Sequence, residues 1–435
     1  MKRLLKGGRV IDPGNGIDGM HDVLIDGDRI VRVGRDIPVE GVTVVEVPDG
    51  YVVCPGLIDI HVHLREPGQE HKETVASGTA SAVAGGFTAV ACMPNTTPVN
   101  DNANVTAYIL AKAAEAGLAR VYPIGAVSRG SKGELLADIA ELKAAGCVAI
   151  TDDGHPTASA LLLRRALEYA GMFGIPVIEH CEDQSLKGDG VAHEGFHAAS
   201  LGLRGIPGAC EALGVERGVL LAELTGSHFH VAHMSARASL RAVRKAKEAG
   251  IRVTCEVTPH HFTLTDESLL TPVAYDTNTK MNPPLREAAD RDAILGGIVD
   301  GSVDLIATDH APHHYDEKNV EFDRAPFGIV GLETAVPLSL DRLVHSGLIR
   351  LPRLVELMAT NPARVLNLPG GTLSEGAPAD ITILAPDLKV RIVANALRSR
   401  SKNMPFDGWE LRGSVAATMV GGRPVFVNPE ASIRL

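Results

Sequence analysis

Val52-Val53-Cys54-Pro55-Gly56-Leu57-Ile58-Asp59-Ile60-His61-Val62-His63-Leu64-Arg65 is an apolar run that ends in a polar corner. So apolar a run reads as a strand buried on both faces, as strands are inside parallel sheets. Side chains two apart on a strand share a face. His61 and His63 therefore stand side by side at the strand's end, with Arg65 just beyond them. Paired imidazoles suit a divalent metal such as zinc, and a guanidinium beside them suits an anion.

Further along, apolar β-rich runs alternate with alanine-rich helical runs. The strands read as ending near His63, Asn95, Ser128, Asp153, Asp183, Ser235, His261 and His313. Helices are expected over 104–115, 134–145, 161–170 and 238–249, and Gly117, Gly146 and Gly250 supply stops. Eight such alternations over about 280 residues fit a (β/α)₈ barrel. A doubly wound open sheet is the alternative, but no G-x-G-x-x-G follows the first strand. The flanks read differently, as short strands with tight turns such as Asp26-Gly27-Asp28. Each is too small to bury a core alone. The expected architecture is a barrel over 55–365, with 1–54 and 366–435 joined in one β-sandwich.

The chain has 435 residues, 45% hydrophobic and 22% charged, with a net charge of −11. No basic tract stands out, which argues against a nucleic-acid partner. No apolar run approaches the roughly 20 residues that span a membrane. The start, Met1-Lys2-Arg3-Leu4-Leu5-Lys6, lacks the apolar core of a secretory signal. The six cysteines are scattered without a C-x-x-C pair, as expected of reduced thiols in a cytoplasmic protein.

In a barrel of this kind, chemistry sits where the strands end. Those ends carry His61 and His63, Asp152-Asp153, Glu179-His180, His230-Val231-Ala232-His233 and Asp309-His310. So much polarity converging on one mouth is costly without a shared cation. For strand four, spacing alone does not separate Asp153 from its neighbour Asp152.

The chain resembles the metal-dependent cyclic amidohydrolases over essentially its whole length, and the bacterial type I dihydroorotases within them. The resemblance rests on four motifs. They are the 55–68 stretch from Pro55-Gly56 through His61-Val62-His63-Leu64-Arg65 to Gly68, then Met93-Pro94-Asn95-Thr96, Lys280-Met281-Asn282-Pro283-Pro284-Leu285-Arg286, and Thr308-Asp309-His310-Ala311-Pro312-His313. It implies up to two zinc ions. His61, His63 and Asp309 would hold one, and His180 and His233 the other. Many relatives bridge the pair with a carboxylated lysine on strand four. This chain lacks it, its nearest preceding lysine being Lys143, and the resemblance puts the bridge on Asp153.

The implied reaction is the reversible cyclisation of N-carbamoyl-L-aspartate to (S)-dihydroorotate in de novo pyrimidine biosynthesis. Asp309 would take a proton from the attacking water and deliver it to the departing ring nitrogen. Arg65, Asn95 and His313 would hold the substrate carboxylate, with His63 beside them. Asn282, Phe327 and Gly328 would contact the ring. The 312–329 loop reads either as a lid or as a solvated surface loop. The resemblance admits a homodimer, and an assembly with aspartate transcarbamoylase. The alternatives are a hydantoinase or allantoinase, which would expect the strand-four lysine, and a silent homologue scaffolding a partner enzyme.

Overall fold

The computed structural model describes residues 2–435. Its centre is a closed parallel barrel. Leu57–Val62, Phe87–Cys92 and Arg120–Pro123 pair in order. Val177–Glu179, Phe229–Val231, Val253–Val257 and Leu305–Ile306 form a second arc. The fourth stave is reduced to Ile150, which bridges Gly125 on one side and Val177 on the other. Its backbone is still bonded both ways, Thr151 donating to Gly125 and Ile178 to Ile150, each at 2.9 Å. Closure comes from Val62 pairing with His310.

Asp59 fastens that seam. Its carboxylate accepts from the Thr308 amide at 3.2 Å and the His61 amide at 3.0 Å. Burial pushes this carboxyl up to about 7.

The first strand does not keep strict alternation. Ile58 and Ile60 pack inside the barrel with Ala89, Ala91, Ile178, Ala232 and Leu305. Its register against the second strand then shifts between Asp59 and Val62. After the shift Val62 packs outward with Val90, Val231 and the helices. His61 and His63 are thereby free to face the mouth. A bulge that re-aims a side chain beside a functional site is a common device.

The helices expected at 104–115, 161–170 and 238–249 are present as Ala103–Ala116, Ala160–Met172 and Arg237–Glu248. The one expected at 134–145 begins later, as Ile139–Ala145. The Asp138 side chain caps it by accepting from the Glu141 amide at 3.0 Å, and Leu136 instead bridges Ser128. The seventh strand ends at Val257, not near His261. The Thr258 side chain caps a new turn, Pro259–Thr263, whose first residue is proline. The eighth ends at Ile306, short of His313.

Both flanks contribute to one eight-stranded sheet. Val52–Pro55 lies between Lys2–Asp12, which it meets in parallel, and Ile381–Arg391, which it meets antiparallel. Leu5, Val10, Val23, Ile25, Val53, Ile381, Ile383, Ala417 and Met419 share its core. Arg120 on the third barrel strand grips Asp380 with two bonds, at 2.6 and 3.1 Å. No helix among the described residues is long and apolar enough to cross a membrane.

Candidate metal centre and anion pocket

The strand-end polar residues meet at the mouth. His61 Nε2 lies 3.5 Å from Asp153 Oδ1 and 3.5 Å from Asp309 Oδ1. His63 Nε2 lies 3.1 Å from Asp309 Oδ1 and 3.5 Å from Asp153 Oδ2. His233 Nε2 is 3.6 Å from Asp153 Oδ1 and 2.9 Å from His180 Nδ1. Asp153 thus faces His61, His63, His180 and His233. Asp152 turns away, accepting from the Ser128 amide and hydroxyl. Two donor triads result, His61–His63–Asp309 and His61–Asp153–His233, each with its ligand atoms within 4.8 Å of one another.

The rings are set by their outer nitrogens. His61 Nδ1 donates to Glu256 Oε1 at 2.5 Å, and His63 Nδ1 to Asn95 Oδ1 at 2.9 Å. A proton held on Nδ1 leaves Nε2 with its lone pair pointing inward, the arrangement metal-binding histidines adopt. His61 Nε2 and Asp153 Oδ1 are buried without a hydrogen-bond partner. Orphaned donors of this type, in this number, fit a divalent cation. For Asp309, burial pushes the carboxyl up, but His61, His63 and His233 outweigh it and bring it to about 2. It is ionised at neutral pH.

A third cluster, His193, Glu287 and Asp290, also brings ligand atoms together. There Arg286 donates to His193 Nδ1 at 3.2 Å. That bond keeps the ring's own proton on Nε2, so the ring is closed to a metal.

Arg65 sits beside the metal donors, with its Nε donating to Pro312 O at 3.2 Å and its Nη2 3.4 Å from His313 Nε2. Burial lowers its pKa to about 10, which leaves it charged at neutral pH. His313 Nε2 donates to the Phe327 carbonyl at 2.8 Å. Arg65 thus meets His313, and Asn95 meets the His63 ring that faces Asp309. Asn282 comes in from the opposite side, its Nδ2 donating to Glu182 Oε1 at 3.0 Å while its Oδ1 is buried without a partner. Gly328 completes the wall at φ 119°, and a Cβ there would lie 2.6 Å from Ala311 Cβ. Only glycine suits that combination.

Backbone strain gathers in the same place. Arg65, His233 and Asp309 have φ of 63°, 31° and 48°. Non-glycine residues held there cost roughly 1–3 kcal/mol each and tend to mark sites where aim matters more than stability.

Some residues escaped the sequence reading. Glu256 is fully buried and bonds both His61 and His230, the latter at 3.1 Å. Burial would raise its pKa, but those two imidazoles hold it well below the carboxylate range. Its signal was a lone acid inside the apolar strand Val253–Val257. Glu182 lies 3.5 Å from His180 Nε2 and stands two residues after it. His260, 2% exposed in the turn Pro259–Thr263 that follows the seventh strand, has an Nε2 without a partner, and nothing in the sequence set it apart from His261.

In fold the molecule is similar to solved cyclic-amide hydrolases. An L-hydantoinase (dihydropyrimidinase) from Arthrobacter aurescens superposes with a TM-score of 0.87 at 24% identity, covering 100% of this chain and 97% of that one. A dihydropyrimidinase from Brevibacillus agri gives 0.83 at 22%, covering 100% and 96%. At that identity the likeness is one of fold. Sequence goes further. Residues 50–239 match the family model described as dihydro-orotase-like. A dihydroorotase from Syntrophotalea carbinolica is 54% identical, over 97% of this chain and 98% of its own length. One from Geobacter metallireducens is 53% identical over 98% and 100%. The chain belongs to the dihydroorotase family.

Proposed function

We propose that this protein catalyses the reversible cyclisation of N-carbamoyl-L-aspartate to (S)-dihydroorotate, the ring-closing step of de novo pyrimidine biosynthesis, with zinc at its centre. The observation that carries this reading is the buried Arg65 guanidinium, in contact with His313, beside the histidine–aspartate cluster that Asn95 also touches through His63. A substrate with a carboxylate next to a cyclic amide needs both at once. His61, His63 and Asp309 would hold one ion, and His180 and His233 a second, with Asp153 between them. Zinc supplies a water acidified toward pH 7 and a polarised amide carbonyl.

The chain's own groups do the rest. In the hydrolytic direction the water oxygen bonds to the ring amide carbon and the carbon–nitrogen bond breaks. Asp309, ionised and 3.1 Å from His63, takes the water's proton and gives it to the departing nitrogen. Ring closure runs the same steps backward. Arg65 would clamp the α-carboxylate with its fork, aided by Asn95 and His313. Asn282 Oδ1 has an unused acceptor for a ring N–H, and Phe327 and Gly328 would meet the ring with backbone groups. We also assign 55–365 to the catalytic barrel, and 1–54 with 366–435 to the sandwich.

The test is an assay on dihydroorotate and hydantoin before and after metal removal. Stripping should abolish turnover of dihydroorotate and zinc should restore it. Arg65→Lys should cost on the order of 100-fold in kcat/KM with metal content unchanged. Full activity without metal, or faster turnover of hydantoin than of dihydroorotate, would overturn the proposal.

A further inference from the structure

Two loops converge on the Phe327 ring, and one of them also reaches the candidate metal ligands. Lys187 ends the single helical turn Gln184–Lys187 that follows the fifth strand. Its ammonium lies over the Phe327 ring, 5.3 Å from the centroid. The same ammonium donates to Glu182 Oε2 at 2.9 Å. Glu182 in turn sits 3.5 Å from His180 Nε2 and accepts from Asn282 at 3.0 Å. From the loop after the seventh strand, Lys280 Nζ lies 4.8 Å from the Phe327 centroid. It also donates to the Phe322 and Asp323 carbonyls at 2.8 and 3.0 Å. Phe322, Asp323 and Phe327 of the 312–329 segment are therefore held by lysines from neighbouring loops, and Lys187 ties Phe327 to the Glu182 carboxylate beside His180.

We propose that Lys187 is a positioning residue that fastens Phe327 of the lid to the Glu182 carboxylate orienting His180 and Asn282, so that lid closure and alignment of the site are one event. This rests on the dihydroorotase reading for its substrate. The physical case is that an ammonium can serve a carboxylate and an aromatic face together. A cation held over a ring is attracted by the ring quadrupole, and its remaining protons stay free for the acid. The Lys187 and Glu182 side chains are only 15% and 5% exposed, so salt screens this pair less than a surface pair. Phe327 is held at two points. Its ring takes the lysines and its carbonyl takes His313. Releasing the ring should loosen the carbonyl, and with it the His313 ring that packs against Arg65.

The test uses Lys187→Met, which keeps the stem and loses the charge, Lys187→Arg, which keeps a cation of similar reach, and Phe327→Leu, which keeps bulk and loses the ring face. Lid order is read without substrate, as the rate of tryptic cleavage after the exposed Arg324. Kinetics on dihydroorotate are read beside it. Lys187→Met should speed that cleavage and raise KM, each by about tenfold, with a smaller change in kcat. Lys187→Arg should restore both. Phe327→Leu should match Lys187→Met, and the double variant should be no worse than either single one. Unchanged cleavage and KM in Lys187→Met, failure of arginine to rescue, or effects that multiply in the double variant would each overturn the inference. Faster cleavage in Lys187→Met, in a protein that proved inactive on dihydroorotate, would support the lid coupling while sinking the substrate assignment.

Discussion

Three of the four imidazoles at the mouth face a carboxylate or amide oxygen on the far side of the ring, while the outer Nδ1 of His233 is buried without a partner. His61 leans on Glu256, His63 on Asn95 and His180 on Glu182. Such outer partners typically govern 10- to 100-fold in metal affinity. The same scale separates the two strand-four aspartates. Asp153 Oδ1 and Oδ2 face imidazoles on both sides, whereas Asp152 is absorbed by Ser128. Asp153→Ala should therefore lower bound metal and nearly abolish turnover, while Asp152→Ala should spare more of both. Metal analysis beside an activity assay checks this. A more damaging Asp152 variant would put the bridge on the wrong residue. Bicarbonate should have no effect, since Asp153 already presents a carboxylate to these imidazoles.

Between strands and helices, buried carboxylates lock elements whose order along the chain is distant. Glu73, just before the helix Val75–Ala84, reaches His310 Nε2 at 3.3 Å and the Arg400 amide at 3.0 Å. It so joins the first barrel helix, the eighth strand end and the C-terminal segment. Burial raises its pKa, but the His310 and serine bonds outweigh this and bring it below its ordinary 4.5. A carboxylate depressed in the folded state stabilises the fold above pH 4.5, and that stabilisation is lost as pH falls through the lower native value. Glu73→Gln should cost about 1–3 kcal/mol at pH 7, and the gap to the unaltered protein should narrow in acid. Urea midpoints at pH 7 and pH 4 measure it, and a pH-independent gap would refute the linkage. At this scale the sequence was legible where signals are local. Helix ends followed Gly117 and Gly146. It misled where a competing local bond won, as at Asp138 and Thr258, whose side chains start helices later or sooner than hydrophobic pattern implies.

At the scale of the whole molecule, the flanking sheet is joined across its middle by strands far apart in sequence. Ile381 pairs with Pro55 and Leu384 with Val52. A chain ending at residue 368 would leave Val52–Pro55 with an open edge and expose Leu5, Val10 and Val53. Such an edge templates aggregation. The truncated chain should fail to yield a soluble, cooperatively unfolding monomer, which size-exclusion chromatography and thermal melting would report. A well-folded product would show that the barrel needs no flank. By itself, the sequence determined the eight strand–helix alternations, the polar strand ends and the family motifs, because period, helix stops and composition are properties of neighbouring residues. Only the tertiary structure decided which side chains look into the mouth. The register shift between Asp59 and Val62 brings His61 and His63 onto the inward side that Ile58 and Ile60 occupy before it. The left-handed backbone of Arg65, His233 and Asp309 aims the others. Those conformations are unfavourable locally, so they exist only where packing from distant strands compels them, and no local pattern in the chain announces them.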